Sequence, residues 1–292
     1  MVAMKPIRVG LVGAGPWAET AHAPMLAKSP DLEFAGVWAR RPEAAAALGA
    51  PVYERVEELF DACDAVCFCV PPGVQAELAV KAARAGKALL LEKPLADSLE
   101  AAERVAAAVA EAGVPSQMIL TMRYGRSTRD FLDRCAAIRP FGGHALAVSD
   151  VITADGHPFG TPWRLRRGAL LDLGPHVVDL LDAALGRVVS VRAHGDPLGW
   201  VGLLLEHEGG AVSEASISMA ATGDEVPWRV AVFGREGTAE LGPAVPDDDP
   251  LGVVAAEFAR TVRDGGGHPL DAAHGLRLQR IIAEAESQVT SP

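Results

Sequence analysis

The chain has 292 residues, 27 Lys plus Arg against 38 Asp plus Glu, and a formal net charge of −11. Hydrophobic residues make up 49% and charged residues 22%, which excludes a disordered chain and leaves room for about two domains with substantial cores. The acidic balance argues against nucleic-acid and anionic-membrane partners, because phosphate needs a cationic surface. A small anionic ligand held by a local arginine pair stays open.

Four cysteines do not make a disulfide framework in this length. Cys67 and Cys69 share one face of an apolar strand and read as small buried hydrophobes. Cys63 and Cys135 complete no C-x-x-C pair, so no metal site is expected. No segment is apolar long enough to span a bilayer, and Met1–Pro6 lacks a signal-peptide core. The expectation is a soluble, cytoplasmic protein.

Ile7–Val12 is a buried strand, broken by Gly13-Ala14-Gly15. Pro16 then opens a helix to about Lys28, since its missing N–H costs nothing in a first turn. Strand Glu33–Ala39, helix Pro42–Leu48, helix Arg55–Phe60 and strand Ala65–Val70 follow. Pro71-Pro72-Gly73 stops that strand. Helix Val74–Ala85, strand Ala88–Leu91, helix Asp97–Ala112 and strand Ser116–Leu120 complete an alternation. All-apolar strands between helices imply a doubly wound parallel sheet covered on both faces.

After about residue 121 the pattern changes. A helix is expected over Thr128–Ile138. Strand-like runs then crowd together at His144–Val151, Val188–His194, Gly199–His207, Ala211–Ser218, Trp228–Phe233 and Thr238–Leu241. One helix, Leu171–Leu185, interrupts them, and helices Val253–Asp264 and Ala272–Ser287 close the chain. Several strands alternate apolar with polar residues, as in an open, mainly antiparallel sheet with one free face. The expected division is residues 1–120, a Rossmann domain, and 121–292, an α+β domain for substrate and oligomerisation, with the last helix able to pack back on the first domain. Asp247–Asp249 and Gly265–Gly267 read as exposed loops, and the connections Ala154–Pro162 and Gly242–Pro250 as short.

Gly13-Ala14-Gly15-Pro16-Trp17-Ala18 is a G-x-G-x-x-A dinucleotide fingerprint after a strand and before a helix. Gly13 permits the tight turn, Gly15 lets backbone approach a pyrophosphate, and Ala18 keeps helix close to strand. The helix N-terminus favours the phosphates. About 20 residues past these glycines an NAD-preferring site carries an acid; here Ala39 precedes Arg40 and Arg41. A guanidinium pair suits a 2′-phosphate, so NADP(H) is expected over NAD(H), with NAD(H) still possible.

With Gly13–Ala18 in place, the His22-Ala23-Pro24 stretch, Val70-Pro71-Pro72 and Glu92-Lys93-Pro94 resemble the glucose–fructose oxidoreductase/inositol dehydrogenase (Gfo/Idh/MocA) family. Asp172-Leu173-Gly174-Pro175-His176-Val177-Val178-Asp179 is similar to its D-x-G-x-H-x-x-D signature. The resemblance runs over nearly the whole chain, including Gly234–Thr238. It implies hydride transfer, usually at a sugar or cyclitol hydroxyl carbon. It places Lys93 near the nicotinamide, makes His176 the proton-transfer residue, gives Asp172 a substrate or assisting role, and has Asp179 orient His176. It further places Pro71, Pro72, Gln75, Glu92, Trp163 and Arg164 toward the cofactor and Arg123 and Tyr124 along the cleft. The chain departs from the family at Gln75, Glu77 and Ala88, where His is frequent, and at Met122, where Asn is usual.

These residue types suit the chemistry. Oxidising an alcohol sends a hydride to the nicotinamide and a proton to a base, and a base near neutral pH points to His. Asp172, His176 and Asp179, four and three apart, project to one side of a helix. Pro175 belongs in a first turn, which would put His176 near a positive dipole end that keeps its imidazole neutral. The Lys93 ammonium can stabilise alkoxide charge, and the peptide before Pro94 is a candidate cis bond. A small-molecule substrate is the expected partner, with a homodimer or homotetramer built through the second sheet. The competing reading is a dinucleotide-binding sensor without turnover on the same fold; a linear-tetrapyrrole or imine reductase would not need D-x-G-x-H.

Overall fold

The computed structural model describes residues 5–222, 227–242 and 248–289. The chain divides into two compact units: Met1–Thr121 with Asp249–Arg277, and Met122–Asp248 with Leu278–Pro292. The second unit is therefore not the continuous stretch 121–292 expected from sequence. Among the described residues no helix is long and apolar enough to cross a membrane.

The first unit is built on five parallel strands: β1 (Ile7–Val12), β2 (Leu32–Trp38), β3 (Ala65–Phe68), β4 (Ala88–Glu92) and β5 (Ser116–Ile119), in the order β2-β1-β3-β4-β5. Strands β3, β4 and β5 are buried at every residue, as covering by helices on both faces demands. A π-helical turn Ala18–His22 runs into α1 (Ala23–Lys28). The wide turn ends where Pro24 has no N–H to continue an α-ladder. The remaining helices here are α2 (Pro42–Ala46), α3 (Val56–Ala62), α4 (Pro72–Arg84) and α5 (Leu99–Ala112).

The second unit begins with a 3-10 turn at Thr121–Tyr124, α6 (Arg126–Ala137) and β6 (Pro140–Val148). It continues with α7 (Pro162–Asp172), α8 (Gly174–Leu185), β7 (Val188–Gly195), β8 (Trp200–His207), β9 (Val212–Ser218), β10 (Trp228–Gly234) and β11 (Gly237–Leu241). The six strands lie in the order β11-β10-β6-β9-β8-β7, antiparallel except for β6 with β9. This is the open, mainly antiparallel sheet the alternation implied. Helix α7 was not expected; it begins at Pro162, where the connection Ala154–Pro162 ends, and runs to Asp172.

Helix α9 (Pro250–Asp264) belongs to the first unit, and α10 (Ala272–Glu286) begins there. Gln117 Nε2 donates to Val254 O at 3.1 Å, Met118 N donates to Leu270 O at 2.6 Å, and Arg263 reaches Asp31 at 2.7 Å. The first two bonds cover the otherwise open β5 side of the parallel sheet, and the third ties the end of α9 to the residue before β2 at the other edge.

Asp248 and Asp249 do not form a plain loop. Asp248 Oδ1 accepts from Arg126 N at the start of α6, and Asp249 Oδ1 accepts from Gly252 N as the cap of α9. Asp247, and most of the expected Gly242–Pro250 connection, lie outside the described residues.

Candidate active site

The order β2-β1-β3 reverses direction between β1 and β3, and ligands of open α/β sheets lie at the carboxyl ends of strands at such a point. Both candidate loops sit there. Gly13 follows β1 with φ +121°, and a Cβ on it would fall 2.1 Å from Cys69 O, just after β3. The chain crossing therefore admits glycine only. Gly15 is different: a Cβ there meets nothing within 4 Å. Neither packing nor a positive φ demands glycine at 15, so bare backbone facing open space remains, followed at once by the helical turn from Pro16. That arrangement fits a dinucleotide pyrophosphate.

Arg40 and Arg41 follow β2 and are exposed. Among the described residues neither guanidinium has an ion pair. Pro71 is exposed at the N-cap of α4 and Pro72 is buried in its first turn.

Glu92, at the end of β4, is a hub. Its Oε1 accepts from Trp17 Nε1 at 2.9 Å and lies 2.9 Å from His22 Nε2. Its Oε2 accepts from Lys93 N at 3.0 Å. The Trp17 and His22 rings meet edge-on, with centroids 6.3 Å apart. His22 is fully buried, and its Nδ1 lies 3.1 Å from Cys67 Sγ. Burial by itself pushes the His22 imidazole down; Cys69 and Glu92 beside it overcome that and hold it up to about 10. Burial likewise pushes Glu92 up, but the hydrogen bond and charge of His22, with Lys93 and Trp17, hold its carboxyl below the ordinary value. His22 and Glu92 thus each favour the charged form of the other, with Cys69 adding to the rise at His22.

Gln75 was expected to touch the cofactor. Its side chain is 1% exposed and serves the protein instead. Nε2 donates to the carbonyls of Glu92 (2.7 Å), Leu95 (3.0 Å) and Pro94 (3.2 Å), and Oε1 accepts from Glu92 N (2.9 Å). Lys93 is half-buried between these clamps, and the Lys93–Pro94 peptide is cis.

In the second unit, α7 is interrupted at Gly168, whose φ is +68° and whose Cβ would lie 1.9 Å from Pro197 O. Ala169 N donates to that same carbonyl at 2.9 Å. Leu173 keeps helical angles and its N–H donates to Ala169 O, so the turn after Gly168 runs on into α8. Pro175 stands in the first turn of α8, as expected. The dipole argument for His176 does not hold, however: with a helical turn ahead of it, His176 is not at a free N-terminus, and the field falls off within one turn.

Asp172 and Asp179 are buried. Arg164 Nε donates to Asp172 Oδ2 at 2.9 Å, and Arg164 Nη1 donates to Thr161 Oγ1 at 3.3 Å. The Arg164 guanidinium also lies 4.5 Å over the Trp163 ring. Arg123 Nη1 donates to Asp179 Oδ1 at 2.7 Å. These two arginine–aspartate pairs were not anticipated. His176 is half-buried, with the Trp228 ring edge-on at 6.4 Å. Tyr124 was expected along the cleft; at 1% exposure it belongs to the core of its unit.

The fold and the glycine turn define a dinucleotide-binding oxidoreductase with a separate α+β unit. The chain belongs to the Gfo/Idh/MocA family: the family model for the oxidoreductase NAD-binding Rossmann fold matches residues 7–119, and the GFO/IDH/MocA C-terminal domain matches residues 146–240. It is an NAD(P)-dependent oxidoreductase acting on CH–OH. Among its relatives, 4-carboxy-2-hydroxymuconate-6-semialdehyde dehydrogenase of Sphingobium sp. is 26% identical over 97% of this chain and 99% of its own. The NADP(+) scyllo-inositol 2-dehydrogenase of Bacillus subtilis is 23% identical over 96% and 92%. The solved D-galactose-1-dehydrogenase of Rhizobium etli superposes with a TM-score of 0.83 at 20% identity, covering 100% of this chain and 98% of that one.

The His22–Glu92 pair predicts a pH signature. A raised His22 contributes stability that is whole below its ordinary value of 6.5 and is lost as pH rises toward about 10. A lowered Glu92 contributes stability present above its ordinary 4.5 and lost on acidification. The urea midpoint of the wild type is expected to fall between pH 6.5 and 10 more steeply than that of His22→Gln; parallel curves over that range would contradict the charged pair.

Proposed function

We propose that the enzyme prefers NADP(H) and moves a hydride between the nicotinamide and a hydroxyl or keto carbon of a sugar-like or other small polyhydroxylated compound. The observation that carries this reading is Lys93, clamped at the carboxyl end of β4 in the sheet whose switch point holds the Gly13–Gly15 turn. The inositol and galactose dehydrogenases among the relatives support a polyhydroxylated substrate.

When bound, the dinucleotide supplies or accepts the hydride. The Gly13–Ala18 turn and the helix N-terminus hold its phosphates, and Arg40 and Arg41 take the 2′-phosphate by charge-assisted hydrogen bonds. The Lys93 ammonium binds the substrate oxygen and stabilises negative charge on it. His176 takes the hydroxyl proton in oxidation and returns it in reduction. Asp172, held by Arg164, presents a fixed carboxylate to a substrate hydroxyl. Asp179, held by Arg123, fixes the part of α8 that carries His176.

Lys93→Ala and His176→Ala are each expected to lower kcat about a hundredfold or more while cofactor binding persists. Near wild-type turnover in both would refute these roles; a nicotinamide-absorbance screen over sugars, cyclitols and keto-sugars supplies the assay. Arg40→Ala combined with Arg41→Ala should raise KM for NADP by about tenfold or more and leave KM for NAD unchanged. An equal rise in both would remove the phosphate role.

The free face of the second sheet presents Trp200, Leu204, Val212 and Phe233, each between 41% and 52% exposed. An apolar face of this kind packs on a second copy of the chain, as a dimer or a dimer of dimers in the cytoplasm. Sedimentation at micromolar concentration should give a dimer or tetramer, and Leu204→Arg should give monomers; a monomeric wild type overturns this.

A further inference from the structure

The geometry points to Glu92 as a positioning residue that ties the dinucleotide turn to Lys93, with His22 and Gln75 holding it in place. This rests on the role proposed above for Lys93. One carboxylate is shared between two functional segments: Oε1 accepts from the Trp17 indole N–H of the G-x-G-x-x-A turn and Oε2 accepts from the Lys93 backbone N–H. The Glu92 side chain faces Trp17, His22 and the Lys93 N–H. His22 in turn faces Glu92, Cys67 and Cys69, and burial pushes both thiols up, so Glu92 is its anionic partner at neutral pH.

Gln75 removes the remaining freedom. It grips the backbone before Lys93 at Glu92 N and O, and after Lys93 at Pro94 O and Leu95 O. Lys93 is therefore held by its own N–H and by both flanks. A reacting group fixed this way begins in a narrow range of positions, and small displacements of such groups are costly. A purely structural carboxylate would need none of this sharing: a buried ion pair replaced on both sides by apolar groups of similar volume is often neutral for stability.

That contrast supplies the test, made on the full chain. The variants are Glu92→Gln and the double His22→Leu/Glu92→Met, with Lys93→Ala and Trp17→Phe as references. In the double variant the urea midpoint should stay near that of the wild type. Exchange of the Lys93 amide hydrogen should accelerate by at least about tenfold, since its acceptor is gone. Trp17 emission, taken as the difference from Trp17→Phe, should shift in both variants, and kcat should fall on the order of tenfold to a hundredfold with a smaller change in substrate KM. NMR titration of His22 should show its imidazole losing its proton at lower pH in Glu92→Gln than in the wild type. A double variant that is stable and keeps wild-type kcat and Lys93 exchange overturns the proposal. If Lys93→Ala itself turns over normally, the proton-transfer reading falls, and Lys93 exchange and Trp17 emission still decide whether Glu92 couples the two loops.

Discussion

A carboxylate removed from water must find donors, and at the end of β4 that requirement organises the whole cofactor end of the first unit. Glu92 is 9% exposed, and an unpaired charge there would be prohibitive. Its donors come from three parts of the chain: the glycine turn, the π-helical turn and Lys93, the residue that follows its own strand. Satisfying Glu92 therefore fixes where the turn after β1 sits relative to the end of β4. Gly13 makes that approach possible, because any side chain there would collide with the backbone after β3. The wide turn at Ala18–His22 brings the imidazole inward, where Cys69 and the Glu92 carboxylate favour its protonated form.

The second unit solves a related problem with arginines. Asp172 and Asp179 are buried carboxylates on one helical run, and each is met by a guanidinium from elsewhere in its unit, Arg164 and Arg123. An arginine brings several donors in a fixed fork, so one bond to the carboxylate leaves others for a second acceptor such as Thr161. The bend at Gly168 sets the start of that run, through the Pro197 carbonyl that only a glycine can approach so closely.

Much of this was legible in the sequence, for local reasons. Apolar strands between helices identify a parallel sheet, Gly13 and Gly15 mark the turn, and Pro175 marks the start of α8. What was not legible depends on residues far apart along the chain. Nothing near Gln75 says that its amide will be consumed by residues 92–95, 17 to 20 positions away. His22 meets Glu92 at a separation of 70 residues, and Arg123 meets Asp179 at 56. Helix α7 was hidden because Trp163–Gly168 carries three arginines and a glycine and shows no apolar period. The return of Pro250–Asp264 to the first unit depends on what the β5 side leaves unsatisfied, which no pattern within the helix encodes.

The distribution of positive charge separates the two ends of the chemistry. A chain of net charge −11 repels anions at long range, so an anionic ligand must be held by local cations whose charge is not already spent. Arg123 and Arg164 are committed to buried carboxylates, which neutralises them and leaves them to shape and orient. Arg40 and Arg41 stand exposed after β2, the strand that follows the glycine turn, and among the described residues neither has an ion pair. Their charge is therefore unspent, whereas the charges of Asp172 and Asp179 in the second unit are already met by Arg164 and Arg123.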